Sequence, residues 1–63
     1  MQDYLNKAME IQLERNKQAK AGNRTEVRVQ EGKLAEVFKQ AKADGIDIGE
    51  LNNQLIQYTS KSF

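Results

Sequence analysis

Sixty-three residues carry ten Lys and Arg against nine Asp and Glu, a net charge of +1, and include no Cys, His, Pro or Trp. A chain this short makes one small domain, and without Cys or His it holds neither a disulfide nor the usual zinc ligand set, which leaves a second chain as the expected stabiliser. No apolar run reaches the length of a membrane span and the N-terminus has no signal-peptide core, while 38% hydrophobic residues are too many for a disordered chain.

The first segment, "DYLNKAMEIQLERNKQAKA" (3–21), has no Gly or Pro and is rich in strong helix formers. Tyr4, Leu5, Ala8, Met9, Ile11 and Leu13 spread over a broad arc, and beyond Leu13 the apolar residues are Ala19 and Ala21 alone. The expectation is a helix whose first turns pack and whose last turns are solvated. "AGNR" (21–24) then stops it, with Gly22 or Asn23 at the cap.

"TEVRVQ" (25–30) alternates polar and apolar side chains, the pattern of a half-buried β-strand. The chain offers no second strand, and a lone strand leaves its backbone groups unpaired. A partner strand is therefore expected from a second copy. Two chains would form an antiparallel two-stranded ribbon about a two-fold axis, with Val27 and Val29 turned inward. The fold class predicted on this basis is mainly α with one short β-strand, in an obligate homodimer.

"EGKLAEVFKQAKADG" (31–45) gives the clearest helical pattern. Leu34, Val37, Phe38 and Ala41 share one face, and Gly45 stands where a left-handed cap is wanted. "DIGE" (47–50) is a capping box, in which Asp47 accepts from the amide of Glu50 and Glu50 reaches back. The helix it opens carries Ile48, Leu51, Leu55, Ile56 and Tyr58 and fades in "TSKSF". Leu34, Val37, Phe38, Ala41, Leu51 and Leu55 are the expected core, Tyr58 a half-buried helix end and Phe63 a frayed terminus.

In this order, "RTEVRVQ", "KLAEVFKQAKADG" and "IDIGELNNQLIQY" resemble the ribbon-helix-helix family, the Arc/MetJ-type dimeric DNA-binding proteins, over residues 24–60. The resemblance implies an N-terminal helical extension (1–22), a ribbon-helix-helix domain (23–60) and a tail (61–63). It implies a ribbon lying in the major groove of double-stranded DNA, with Arg24, Glu26 and Arg28 facing out to read base edges. The start of the last helix, at Ile48 and Gly49, would approach a phosphate. The chain departs from the family at Asp47 and Glu50, where Ser or Thr is usual, at Asn52, where a large apolar residue is usual, and in its first 21 residues, which have no counterpart.

Charge supports a polyanionic partner locally. From Arg15 to Arg28 five basic residues face one acid, Glu26, whereas from Lys33 to Glu50 three basic residues face four acids. Arg15, Lys17 and Lys20 are candidate contacts to the flanking DNA backbone. Tyr4, Leu5, Ala8 and Met9 are candidates for packing across the dimer or for a protein partner of the first helix. The function expected is that of a cytoplasmic, dimeric transcriptional repressor; a plasmid or phage setting is the family's habit. Two other readings stand beside it. A helix-turn-helix at "AKADGIDIGEL" is opposed by Gln40 and Gln54, and a small helical adaptor, inhibitor or antitoxin needs no DNA. No catalysis, cofactor or metal is expected, because His, Cys and a Gly-rich phosphate loop are missing and Ser60 and Ser62 have no base nearby.

Overall fold

The computed structural model describes residues 2–60, and all three of its elements are helices: α1 (Gln2–Lys20), α2 (Arg24–Ala43) and α3 (Ile48–Thr59). The tail 61–63, with Ser62 and Phe63, lies outside the described residues.

The predicted strand is helix. Residues 25–30 form the first turns of α2, so among the described residues there is no ribbon, and the two-stranded edge that called for a second copy does not exist. Three local causes explain the change. Asn23 caps the helix, its side chain accepting from the amide of Glu26 at 3.3 Å, so "NRTE" is itself a helix start. Val27, Leu34 and Ala41 repeat every seven residues, which places all three on one helical stripe; the alternation at Val27 and Val29 is a two-residue coincidence inside that stripe. Finally, extending the strong helix at 33–43 backward adds a hydrogen bond per residue, whereas an isolated strand satisfies none. The β-branched valines cost the helix a few tenths of a kcal/mol each.

Two glycine turns fold the chain back on itself. Gly22 (φ 76°) and Gly45 (φ 81°) take the left-handed conformation after α1 and α2. At the first turn Gly22 N–H donates to Ala19 and Asn23 N–H to Gln18, at 3.1 and 2.9 Å; at the second, Gly45 donates to Lys42 and Ile46 to Ala41, both at 3.0 Å. Both are Schellman closures. Each is followed at once by a new cap, Asn23 for α2 and Asp47 for α3.

Gly32 is a different case. It stands exposed inside α2 with nothing within 4 Å of a Cβ placed there. Gly32→Ala is expected to raise stability by about 0.5–1 kcal/mol, because alanine narrows the unfolded ensemble and suits a helix. Gly45→Ala should lower it by about 1–2 kcal/mol, the cost of a Cβ at positive φ. Urea midpoints of the two variants should move in opposite directions.

Helices α1 and α2 run antiparallel. Arg15 meets Glu31, while Tyr4 near the start of α1 meets Asp44 just beyond the end of α2. Helix α3 packs mainly on α1 and much less on α2. The core is drawn from all three: Leu5 and Ala8, Val37 and Ala41, Leu51 and Leu55. Ala8 and Ala41 are completely buried, which lets the backbones approach closely. Tyr4, Met9, Ile11, Leu34, Phe38, Ile46 and Ile48 pack around this centre half-buried.

Candidate functional site

The loss of the strand redistributes the residues expected to read DNA. Positions i, i+2 and i+4 share a face on a strand, but on a helix the middle one turns about 200° away from the first. Arg24 and Arg28 therefore stay together, one turn apart and exposed, and Glu26 leaves them. Glu26 is half-buried and accepts a 2.8 Å hydrogen bond from the side-chain amide of Gln30.

Of the candidate backbone contacts, Arg15 is engaged within the fold. Its Nε and one Nη lie 3.4 Å from Glu31, and its other Nη donates to Asn16 at 3.3 Å. Lys17 and Lys20 are exposed near the end of α1, beside the turn that leads to Arg24. Lys17 and Lys20 stand on the last turn of α1 and Arg24 and Arg28 on the first two turns of α2, on either side of the Gly22 turn. A shallow depression of about 460 Å³ beside this turn is lined by Ala19, Gly22, Asn23, Arg24, Val27, Arg28 and Glu31, and by neither lysine.

At the start of α3, Ile48 is half-buried and Gly49 exposed. The place an anion would take is held by a carboxylate: Asp47 accepts from the amide of Glu50 at 3.3 Å, and a Cβ on Gly49 would stand 3.3 Å from the same oxygen. The Glu50 side chain accepts from Gln54 at 3.0 Å. Asp44 lies at this end too, where the Tyr4 hydroxyl donates to it. That hydrogen bond, with some desolvation, raises the Tyr4 pKa above its ordinary value of 10.0.

Val37, Ala41, Leu51 and Leu55 are buried; Val27, Leu34 and Phe38 are half-buried; Val29 is 45% exposed and points away from the core. Tyr58, expected half-buried, is 60% exposed. Tyr4, Leu5, Ala8 and Met9 pack inside the chain, Leu5 and Ala8 fully buried.

A second recess was not foreseen. Because α3 leans on α1 and away from α2, a cleft of about 270 Å³ opens beside Leu34 of α2. Gln12 of α1 and Asn52, Leu55, Ile56, Thr59 and Ser60 of α3 complete its lining. Ile56 is 55% exposed. The signal in the sequence is Ile56 itself, which falls off the stripe of Leu51, Leu55 and Thr59 and so has no place in the chain's own core.

Among the described residues, no group of three or more His, Cys, Asp or Glu is placed to hold a metal ion, and no helix is long and apolar enough to cross a membrane. Comparison with known protein families, with curated proteins and with solved structures finds no match. The ribbon-helix-helix resemblance therefore has neither a strand nor a family match behind it. What fold and surfaces define, among the described residues, is a three-helix domain with a cleft of uncharged lining.

Proposed function

We propose that this chain is a small non-catalytic interaction module that seats an amphipathic helix of a partner protein in the cleft between α2 and α3. The observation that carries the reading is the chemistry of the lining. In a chain with 30% charged residues, none of the described residues lining the cleft is charged. Leu34, Leu55 and Ile56 offer an apolar wall, and Gln12, Asn52 and Ser60 supply neutral polar groups. Such a surface takes uncharged side chains.

Size narrows the occupant. Pockets that enclose small molecules run from about 300 to 1,000 Å³. This one is smaller and open, which suits one or two apolar side chains presented at i and i+3 or i+4 from a helix.

Binding rather than bond-making fits the groups present. The Thr59 hydroxyl donates to the Leu55 carbonyl at 2.7 Å, and among the described residues no acid or base lines the cleft. A cytoplasmic setting fits a chain without Cys. Base reading by a ribbon of Arg24, Glu26 and Arg28 is no part of this proposal.

Selection from a displayed library of helices about 15 residues long tests the reading. The winners should carry apolar residues at i, i+3, i+4 and i+7. Ile56→Glu should weaken them at least about tenfold, and Val29→Glu, on the outer side of α2, less than about twofold. Winners without that spacing, or indifferent to Ile56→Glu, would overturn it.

A further inference from the structure

Helix α3 is too short to cover the hairpin it packs on. At 1.5 Å per residue its 12 residues span about 18 Å, against about 28 and 30 Å for the 19 and 20 residues of α1 and α2. Steps of seven residues stay on one helical face, and they mark three layers along the seam between α1 and α2. The first layer holds Leu5 and Ala41, buried in the core with Leu51 of α3. The second holds Gln12 and Leu34, which line the cleft beside the last turn of α3. The third holds Ala19 and Val27, which line the depression of about 460 Å³ at the Gly22 turn, and no α3 residue is among the described residues of that lining. Arg15 with Glu31 and Tyr4 with Asp44 fix the antiparallel register that pairs these layers. Cleft and depression are therefore successive stretches of one seam, the second lying where α3 has ended.

We infer, on the strength of the cleft reading, that the partner helix seated in the cleft continues along this seam over Ala19 and Val27 and sets an acidic side chain against Arg24 and Arg28. Spacing supports the continuation. Seven residues of α1 separate Gln12 from Ala19, about 10 Å, so a helix with apolar residues at i, i+3 and i+4 in the cleft brings its i+7 position over the third layer. Ala19 and Val27 are small, which lets the incoming backbone approach closely.

Charge supports the acid. Arg24 and Arg28 both line the depression, one turn apart on α2 and exposed, and neither side chain is in an ion pair among the described residues. Glu31, the acid of the same lining, is held by Arg15 at 3.4 Å. The depression thus keeps an excess of uncommitted positive charge, at the N-terminal end of α2 where the helix dipole adds to it. Recognition is divided along the seam: the cleft takes uncharged side chains, and the arginines take a carboxylate within one turn of i+7.

The helices selected on the intact chain test this. The winners should carry Asp or Glu within one turn of i+7. Arg24→Gln with Arg28→Gln should weaken them roughly fivefold, and should weaken counterparts whose acid is replaced by glutamine less than about twofold. Raising monovalent salt from about 0.05 to about 0.5 M should remove most of that difference. Both arginines are exposed, and a positive side chain in the first turn opposes the helix dipole, so the double variant keeps its fold, which circular dichroism verifies. Lys39→Gln with Lys42→Gln removes the same charge from the far end of α2 and should change binding less than about twofold.

Winners weakened by Ile56→Glu but indifferent to the arginine pair, or losing as much without their acid as with it, would overturn the inference and leave the cleft reading standing. A DNA duplex or a second copy of the chain that occupies the arginines in preference to the helix would do the same. Winners that need the arginines and not Ile56, or an empty selection, would overturn both.

Discussion

Leu51→Ala leaves the chain largely unfolded at 25 °C. Leu51 is completely buried and is the largest side chain in the core to be so. It stands with Leu55 and Thr59 on the one buried stripe of α3, a helix of 12 residues that could not persist unpacked. Removing a buried leucine's outer atoms costs about 2–5 kcal/mol, because neighbours do not fully close the cavity. A core of this size rarely supplies more than about 3–5 kcal/mol in total. The substitution therefore consumes most of the stability, and α3 should leave the α1–α2 hairpin. A urea titration followed by circular dichroism should show a midpoint near zero denaturant. Ile56→Ala, at a 55% exposed position in the same helix, should shift stability by less than about 0.5 kcal/mol. Equal effects at the two positions would mean that α3 is not anchored as described.

The elements whose ends are marked by local chemistry were legible in the sequence. Gly22, Gly45 and Asp47 stop and start helices through their own backbone and side-chain geometry, and the structure uses each as expected. The α3 stripe at Leu51 and Leu55 is likewise local. What misled was a choice between periods. Val27 and Val29 fit a period of two over six residues. The helical period was there over a longer window, but a polar residue, Gln30, holds one of its buried positions and hides the stripe. The dimer and the outward trio of Arg24, Glu26 and Arg28 followed from that choice and fell with it. Ile56 marked an unpartnered position, but the shape of the cleft was illegible for another reason. It depends on how far α3 leans from α2, and no spacing within one helix encodes a packing angle.

Replacing Asn16 and Gln30 together by leucine should stabilise the chain by roughly 2–4 kcal/mol. Both are buried, at 2% and 6% exposure, on α1 and α2 in the half of the hairpin that leads to the Gly22 turn. Asn16 accepts from Gln12 at 2.9 Å and from Arg15 at 3.3 Å, and Gln30 donates to Glu26 at 2.8 Å. These bonds largely replace ones water would make, so each contributes about 1 kcal/mol net, less than burying a leucine contributes. Leucine has the outline of asparagine and nearly the length of glutamine, so overpacking is slight. Among the partners left behind, Gln12, Arg15 and Glu26 are half-buried and within reach of water. The melting temperature should rise by roughly 8–16 °C for a gain of about 2 kcal/mol in a domain of this size. A continuous apolar seam from Val27 through Leu34 to Ala41 also carries less information about register than one interrupted by two amides. The same variant should then self-associate in sedimentation more strongly than the parent chain. A lower melting temperature would show that the buried amides hold the hairpin together rather than only aligning it.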